Sequence, residues 1–223
     1  MKTRLIVFDL DGTLLNTIGD LSAAVNHALE ASCLPLHTEE EYLKMVGHGV
    51  RNLVASALPE ELRSDEAIDS HLSVFKDYYS SHIDVLTRPY PGIPELLSEL
   101  SDAGVRLAVA SNKFQAGVEL LMARFFPGLS FVSMMGNGPG APLKPDPAIV
   151  RSAVVAAGVE DMSGVMMVGD SATDINTGKN AGVRSVGVSW GFRPKESLVA
   201  AGADFVADSV EELRDFLLES LQA

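Results

Sequence analysis

Short apolar segments, most of which end at a small or acidic residue, constrain the fold of this chain more than any other feature. Each is rich in Val, Ile, Leu, Met or Phe, which is typical of strands buried on both faces of a sheet. Between most of them, apolar residues recur at helical spacing. Strands that alternate with helices predict βαβ units, a mostly parallel sheet and therefore an α/β fold. The predicted strands are residues 5–8, 106–110, 131–135, 164–168, 185–189 and 205–206, and the predicted helices are 94–100, 115–126, 147–157 and 209–221.

The segment from about residue 18 to residue 83 interrupts this alternation. It has no convincing strand, whereas residues 21–29, 46–58 and 68–81 have apolar residues at helical spacing. A helical block of this size predicts an inserted domain, residues 16–85, in a core formed by residues 1–15 and 86–223. Prolines and a glycine in residues 87–92 are expected to stop both helix and strand where the chain returns to the core. Residues 136–142, which are rich in Gly and Pro, predict a loop.

The charge balance excludes several classes of partner. With 30 acidic and 17 basic side chains, the net charge is −13, which argues against binding to nucleic acid or to an anionic membrane surface.

The single cysteine excludes an intrachain disulfide and favours a reducing compartment. No apolar run is long enough for a signal peptide or a membrane span. We therefore expect a cytoplasmic protein, as a monomer or a homodimer.

Two aspartates follow the first predicted strand directly. In an open parallel sheet, ligands bind outside the carboxyl ends of the strands, so Asp9 and Asp11 lie where a site is expected. One carboxylate can attack an electrophile and help to hold a hard cation, and the other can transfer a proton. Gly12, which precedes Thr13, permits a backbone conformation that is closed to other residues. The alternative is a turn in which an aspartate caps the next helix.

Three later segments place further polar residues after predicted strands or before a predicted helix. Ser111, at a strand end, can donate to a phosphate oxygen together with backbone N–H groups of the following turn. Lys144 is restricted by the prolines that follow it and suits an anion beside carboxylates. Asp170 and Asp174 follow a fourth apolar segment, at the same sheet edge as the first aspartates. Taken alone, each has a structural alternative: Ser111 could be a turn residue, Lys144 a surface lysine and Asp170 a helix cap.

In chain order, these segments carry a carboxylate pair, a hydroxyl, a lysine and a second carboxylate pair. This series resembles the haloacid dehalogenase-like (HAD) superfamily of phosphohydrolases, and the resemblance covers essentially the whole chain. The helical block is similar to that superfamily's cap. The resemblance implies a Rossmann-like parallel core with a small inserted α-helical cap domain, and an enzyme that hydrolyses a phosphate ester.

The resemblance also implies a role for each residue that matches a motif. Asp9 matches the nucleophile that becomes an aspartyl phosphate. Asp11 matches the acid/base that protonates the leaving oxygen and then activates water. Ser111 and Lys144 match the groups that hold the transferring phosphoryl. Such a set suits the hydrolysis of phosphate monoesters, which is among the slowest reactions known without catalysis.

Mg²⁺ is the cofactor that the resemblance implies. It would be bound by the Asp9 carboxylate, the Asp11 backbone carbonyl and Asp170. Asp174 matches a second acid that orients Mg²⁺ waters or Lys144. The cation and the lysine would offset the repulsion between a carboxylate and a phosphate dianion.

Within the superfamily, residues 46–51, 111–113, 144–147 and 191–192 are similar to the phosphoglycolate phosphatase branch. Asp11 argues against a dehalogenase, which lacks an acid there. Thr13 argues against the sugar phosphomutases, which tend to carry an apolar residue there. The branch usually has Asp at the position of Asn16, and this departure leaves the metal set untouched.

The substrate-binding candidates lie in the core motifs and in the helical block. Gly49 allows close backbone approach, and Arg51 could reach a substrate carboxylate or a second phosphate, or could be a solvated helix residue. His48 is the histidine most expected to face the cleft, although it could only pack. The full set of candidates is Gly12, Thr13, His48, Gly49, Arg51, Asn112 and Lys113.

We therefore expect a Mg²⁺-dependent phosphatase of a small phosphorylated metabolite, with 2-phosphoglycolate as the best candidate. The alternatives are a phosphomutase, a pyrophosphatase, another sugar-phosphate phosphatase, or a catalytically inactive binding protein on the same fold. A net charge of −13 repels phosphate at long range. Recognition is therefore expected to be local, through Mg²⁺ and Lys144, with Lys113 and Arg51 as further candidates.

Overall fold

The computed structural model describes residues 4–138 and 142–221. Its strands are β1 (Leu5–Phe8), β2 (Leu15–Asn16), β3 (Arg88–Pro89), β4 (Arg106–Phe114), β5 (Phe131–Asn137), β6 (Val165–Gly169), β7 (Arg184–Val188) and β8 (Phe205–Ala207). Its helices are α1 (Ile18–Glu30), α2 (Glu39–Met45), α3 (Val50–Ala57), α4 (Asp65–His82), α5 (Ile93–Asp102), α6 (Gln115–Phe125), α7 (Ala148–Ala157), α8 (Ala172–Ala181), α9 (Lys195–Ala200) and α10 (Val210–Ser220). In the two described ranges, none of these helices has both the length and the apolar content needed to cross a lipid bilayer.

Six of the strands form one parallel sheet in the order β5-β4-β1-β6-β7-β8. From β1 the chain builds outward through β4 to β5, then crosses to the other side of β1 and continues through β6 to β8. The direction of building reverses between β1 and β6, and open α/β sheets bind ligands outside the carboxyl ends of strands at such a point. The predicted α/β fold with a parallel sheet is confirmed, and every predicted strand overlaps an observed one.

β1 is buried on both faces, as its apolar sequence predicts. The side chains of Ile6 and Phe8 join the larger apolar core, whereas those of Leu5 and Val7 join a second core on the opposite face. This alternation follows from the two-residue period of a strand. Because β1 is packed from both sides, the residue that follows it, Asp9, has a defined place at the sheet edge.

Between β2 and β3 the described chain is helical. α1 packs on α4, and α2 packs on α1 and α3, around buried aromatic side chains such as Phe75 and Tyr79. α2 is not among the predicted helices, although Thr38 and Glu41 form a capping box at its start, a motif that can be read from the sequence. That residues 16–85 form an inserted domain remains a prediction.

Two of the loop predictions differ from the structure. Arg88–Pro89 forms β3, which pairs antiparallel with β2, so the prediction that residues 87–92 stop any strand is wrong. A strand of two residues at a sheet edge tolerates proline, because the missing N–H is not needed there. The predicted loop at residues 136–142 begins too early, since β5 continues to Asn137, and residues 139–141 lie outside the described part of the chain.

The short helix α9 is not among the predicted helices, because six residues are too few to show a helical period.

Candidate active site

A cavity that is partly open to solvent lies at the carboxyl ends of the central strands. Residues that follow β1 and β6, together with the last residues of β4, form one side of it, and residues of α1, α3 and α4 form another. The structure brings most of the sequence-predicted site residues into its lining. These are Asp9, Asp11, Gly49, Ser111, Asn112, Lys113, Lys144, Asp170 and Asp174.

Lys144 is the cation at the centre of the site. Its Nζ lies 2.7 Å from Asp9 Oδ1 and 2.7 Å from Asp174 Oδ1, and its side chain is buried. Although burial alone would lower the pKa of Lys144, Asp174 and Asp9 raise it, so the lysine is charged at neutral pH. Its backbone N–H donates to Asn112 Oδ1 at 2.8 Å, which ties the lysine to the end of β4. A surface position for this lysine is therefore excluded.

Three aspartates form a buried cluster beside this lysine. Oxygens of Asp9, Asp170 and Asp174 lie within 4.8 Å of one another. Burial, and then the Asp174 carboxylate, raise the pKa of Asp170 to about 7. Burial and Asp174 also raise the pKa of Asp9 well above its ordinary value, against the opposing charge of Lys144. One lysine does not balance three carboxylates, and carboxylate oxygens are preferred ligands of hard cations, so the cluster could hold a divalent cation.

Asp170 is held from two sides. Its Oδ2 accepts a hydrogen bond from the Phe192 N–H at 2.6 Å. On the other side, a Cβ added at Gly12 would lie 2.4 Å from the same oxygen. Gly12 also has a φ of +88°, a left-handed conformation that favours glycine. The position of the Asp170 carboxylate thus requires a glycine at position 12.

We expect Gly12→Ala to lose activity and the matched variant Gly104→Ala to keep it. Gly104 has a similar φ of +81°, but a Cβ there meets nothing within 4 Å. Both variants should lose about 1 kcal/mol of unfolding free energy through backbone strain. Only Gly12→Ala displaces Asp170, so its rate of phosphate release should fall about 10²-fold. Urea unfolding and a phosphate-release assay check this, and equal activity in the two variants would contradict it.

Asp11 lies against a second buried lysine. Lys113 Nζ is 3.1 Å from Asp11 Oδ1 and donates to the Tyr79 hydroxyl of α4 at 2.8 Å. Although burial alone would lower the pKa of Lys113, Asp11 and Tyr79 raise it. Burial raises the pKa of Tyr79 to about 12, so this hydroxyl stays protonated. The helical spacing of α4 marks Tyr79 only as a core residue, and its contact with Lys113 appears only in the fold.

Ser111 and Asn112 connect the end of β4 to the helical block. Ser111 Oγ accepts a hydrogen bond from the Lys113 N–H at 3.2 Å and lines the cavity. Asn112 Nδ2 donates to the carbonyl oxygen of Gly47 at 3.1 Å. A Cβ at Gly49 would lie 3.6 Å from the carbonyl oxygen of Asn112. The loop between α2 and α3 therefore closes over the end of β4.

Other predicted residues lie elsewhere in the described structure. His48 is exposed and Thr13 is fully buried, and neither is part of the cavity lining. Arg51 is exposed, and its guanidinium pairs with Asp65 and Asp69 of α4. Of the two predicted alternatives for Arg51, a substrate contact and a solvated helix residue, the structure shows the second, and it does not bring Arg51 to the cavity.

Arg193 lines the cavity although the sequence analysis did not select it. Its guanidinium donates to the carbonyl oxygens of Leu43 and Val46, at the end of α2. Both acceptors are backbone atoms, about 150 residues away in the chain, so no residue pattern predicts the contact. Its position along the chain could have indicated it. Arg193 follows β7, which neighbours β6, so it lies at the same sheet edge as the other site residues.

The family profile described as haloacid dehalogenase-like hydrolase matches residues 6–188. The chain belongs to this family. A phosphoglycolate phosphatase from Mesorhizobium japonicum is 38% identical over 194 residues, which are 86% of this chain and 85% of the relative. An N-acetylmuramic acid 6-phosphate phosphatase from Pseudomonas aeruginosa is 35% identical over 224 aligned positions, and the alignment covers 99% of this chain and 97% of the relative.

A solved structure supports the same assignment. The crystal structure of a predicted phosphoglycolate phosphatase from Haemophilus somnus has a TM-score of 0.88 and 27% sequence identity to this hydrolase, and it covers 97% of this chain and 98% of its own. The hydrolase is thus a phosphoric monoester hydrolase that acts on a small phosphorylated substrate, and the predicted enzyme class is confirmed.

Proposed function

We propose that this hydrolase releases phosphate from 2-phosphoglycolate, with Mg²⁺ as its divalent cation and an aspartyl phosphate on Asp9 as the intermediate. The buried carboxylate cluster supports the cation, and the curated relative with 38% identity supports the substrate. The roles given below to individual residues are part of this proposal.

The two oxygens of Asp9 differ, and this difference carries the proposal. Oδ1 accepts a hydrogen bond from the Leu10 N–H at 2.7 Å and is paired with Lys144 at 2.7 Å. From the residues that the structure describes, no donor reaches Oδ2. One oxygen is therefore held in place, and the other is available to attack phosphorus from the cavity wall.

The reaction then takes two steps. Asp9 Oδ2 forms a bond to phosphorus while the bond from phosphorus to the leaving oxygen breaks, and Asp11 donates a proton to that oxygen. Asp11 next accepts a proton from the water that attacks the aspartyl phosphate, which releases phosphate and regenerates Asp9. Asp11 is protonated at the start of the first step and ionised at the start of the second, and the contact of Lys113 Nζ with Asp11 Oδ1 at 3.1 Å holds it at the cavity in both.

Charge repulsion opposes the approach of a carboxylate to a phosphate dianion. Lys144 offsets this repulsion, and the Ser111 hydroxyl donates to a phosphoryl oxygen. Asp9 and Asp170 would hold Mg²⁺, with Asp174 orienting Lys144 through their 2.7 Å contact. When bound, Mg²⁺ supplies positive charge that stabilises the oxygens of the transferring phosphoryl.

The helical block, residues 16–85, acts in this proposal as a cap that limits water and contacts the leaving group. Its side of the cavity is mostly apolar. A low-dielectric wall strengthens the charge interactions on the opposite side and excludes competing water. The residues of this wall are Leu21, Val46, Val50, Leu53 and Phe75.

Phosphate release from a panel of phosphate esters tests the proposed function. The panel contains 2-phosphoglycolate, N-acetylmuramic acid 6-phosphate, glucose 1-phosphate and pyrophosphate, each with Mg²⁺ and with EDTA. We expect the highest kcat/KM for 2-phosphoglycolate, and a fall of about 10²-fold or more in EDTA, because uncompensated carboxylates then face the phosphate. An isomerised sugar phosphate, or release from pyrophosphate alone, would instead assign a mutase or a pyrophosphatase.

A further inference from the structure

The cations that line the cavity differ in their partners. Lys144 pairs with the carboxylates of the cluster, and Lys113 pairs with Asp11. Arg193 is different, because its guanidinium donates to the backbone carbonyls of Leu43 and Val46, which carry no net charge. Within residues 4–138 and 142–221, it is the cavity-lining cation that forms no ion pair.

Arg193 lies close to the end of β4 at which phosphate would bind. Gly47 sits between the two: its carbonyl oxygen accepts from Asn112 Nδ2 at 3.1 Å, and a Cβ on it would lie 3.5 Å from Arg193 Nη2. On the other side, the residue before Arg193 is anchored by the 2.6 Å hydrogen bond from Phe192 N–H to Asp170. A single residue, Gly47, thus links the guanidinium to the end of β4, and the hydrogen bond of Phe192 places Arg193 next to the residue that holds Asp170.

The guanidinium also has more N–H groups than its contacts use. A guanidinium carries five N–H groups. The contacts with Leu43, Val46 and the carbonyl oxygen of Phe192 use at most three of them. At least two N–H groups therefore remain for a ligand, which is the number that a carboxylate accepts from an arginine in a bidentate pair.

We propose that Arg193 binds a carboxylate group on the substrate, so that this hydrolase selects phosphomonoesters of acids over those of neutral alcohols. The proposal rests on the proposed phosphatase function. A second anionic group on the substrate meets strong repulsion from the site aspartates, and a chain of net charge −13 offers no long-range attraction. An unpaired local cation is what such a substrate requires. The substrates named for the two curated relatives, phosphoglycolate and N-acetylmuramic acid 6-phosphate, both carry a carboxyl group in addition to the phosphate ester.

The test compares kcat/KM for 2-phosphoglycolate with kcat/KM for 2-hydroxyethyl phosphate, in which a hydroxymethyl group replaces the carboxylate. The ratio of the two is the measured quantity. In Arg193→Gln we expect this ratio to fall about 10- to 100-fold, because a charge-assisted bidentate pair is lost. Arg193→Lys keeps the charge without the planar fork, so its ratio should lie between those of the wild type and Arg193→Gln.

The ratio separates binding of the carboxylate from a structural role. Arg193 also holds the end of α2, and a loosened cap would lower the rates with both esters alike. An unchanged ratio in Arg193→Gln would therefore overturn the proposal, as would equal rates with both esters in the wild type. If Arg193→Gln does not fold, Arg193→Lys decides, since its ratio must still fall.

Two further variants act as comparisons. Arg51→Gln tests the arginine that the sequence analysis gave as a candidate, and a fall of the ratio there rather than in Arg193→Gln would overturn the proposal. Arg124→Gln, at an exposed position of α6 where the arginine pairs with Asp84, is the control that should leave the ratio unchanged. If the wild type released phosphate from neither ester but from another member of the wider panel, the proposed substrate would be wrong, while no release at all would refute the phosphatase function itself.

Discussion

Asp9→Asn should release phosphate at least about 10⁴-fold more slowly than the wild type, with 2-phosphoglycolate and with a generic aryl phosphate alike. The amide keeps the size of the side chain and an oxygen that can accept from Leu10 and Lys144. It removes the negative charge and the free nucleophilic oxygen. Because the proposal makes Asp9 Oδ2 the atom that bonds to phosphorus, the loss should appear in kcat with every phosphomonoester. Steady-state phosphate release at saturating substrate measures it.

The fold of Asp9→Asn should be at least as stable as that of the wild type without divalent cation. Burial and Asp174 raise the pKa of Asp9 well above its ordinary value. An acid that binds its proton more tightly in the folded state lowers stability as the pH rises above its ordinary pKa, so ionised Asp9 is unfavourable at neutral pH. Removing that charge should leave the thermal midpoint in EDTA unchanged or higher.

Asp102→Asn is the matched control, because Asp102 is exposed at the end of α5. It should keep wild-type activity and stability. Near-normal turnover by Asp9→Asn would show that another group attacks phosphorus, and a large loss of stability would show that the variant reports on folding rather than on chemistry.

The convergence of the core motifs could be predicted from the sequence because it depends on few rules. An apolar segment that ends at a polar residue marks the carboxyl end of a strand, and parallel strands place these ends at one sheet edge. Asp9 and Asp170 follow this rule, whereas Ser111 lies within β4, which continues to Phe114, and all three line one cavity. Lys144 could be placed there only through the resemblance, because local sequence alone favours a surface lysine.

The side of the cavity formed by the helical block could not be predicted in the same way. Arg51 was a candidate for binding substrate because its partners, Asp65 and Asp69, lie on a different helix and no sequence pattern marks them as partners. No sequence pattern selected Arg193, because its contacts are with backbone oxygens that lie far away in the chain. Helical periodicity gives the buried face of each helix, but the relative placement of α2, α3 and α4 decides which polar side chain meets which.

Lys144→Met should lose both activity and stability, in contrast to Asp9→Asn. The variant leaves Asp9 and Asp174 without their shared cation. Breaking a buried ion pair by removing one partner costs about 3–5 kcal/mol of unfolding free energy. The rate of phosphate release should fall about 10³-fold, because a positive charge beside the transferring phosphoryl is lost. Urea unfolding in EDTA and steady-state kinetics with Mg²⁺ measure the two effects.

The pH dependence of this loss has a definite sign. Lys144 lowers the pKa of Asp9 and of Asp170, so its removal raises both further above their ordinary values. Carboxyl groups with raised pKa values destabilise the folded state as the pH rises, since they must then ionise while buried. In EDTA, the stability difference between Lys144→Met and the wild type should therefore be smaller at pH 5 than at pH 8.

Two variants separate charge from shape at this position. Lys144→Arg keeps the charge in a larger side chain, so it should recover part of the stability and little of the activity, because the guanidinium does not fit between Asp9 and Asp174 in the same place. Lys76→Met, on the exposed side of α4, controls for the loss of a lysine and should match the wild type in both measurements. Wild-type stability of Lys144→Met at pH 8 would mean that the carboxylate cluster is neutral without its lysine, and full activity would remove Lys144 from the phosphoryl site.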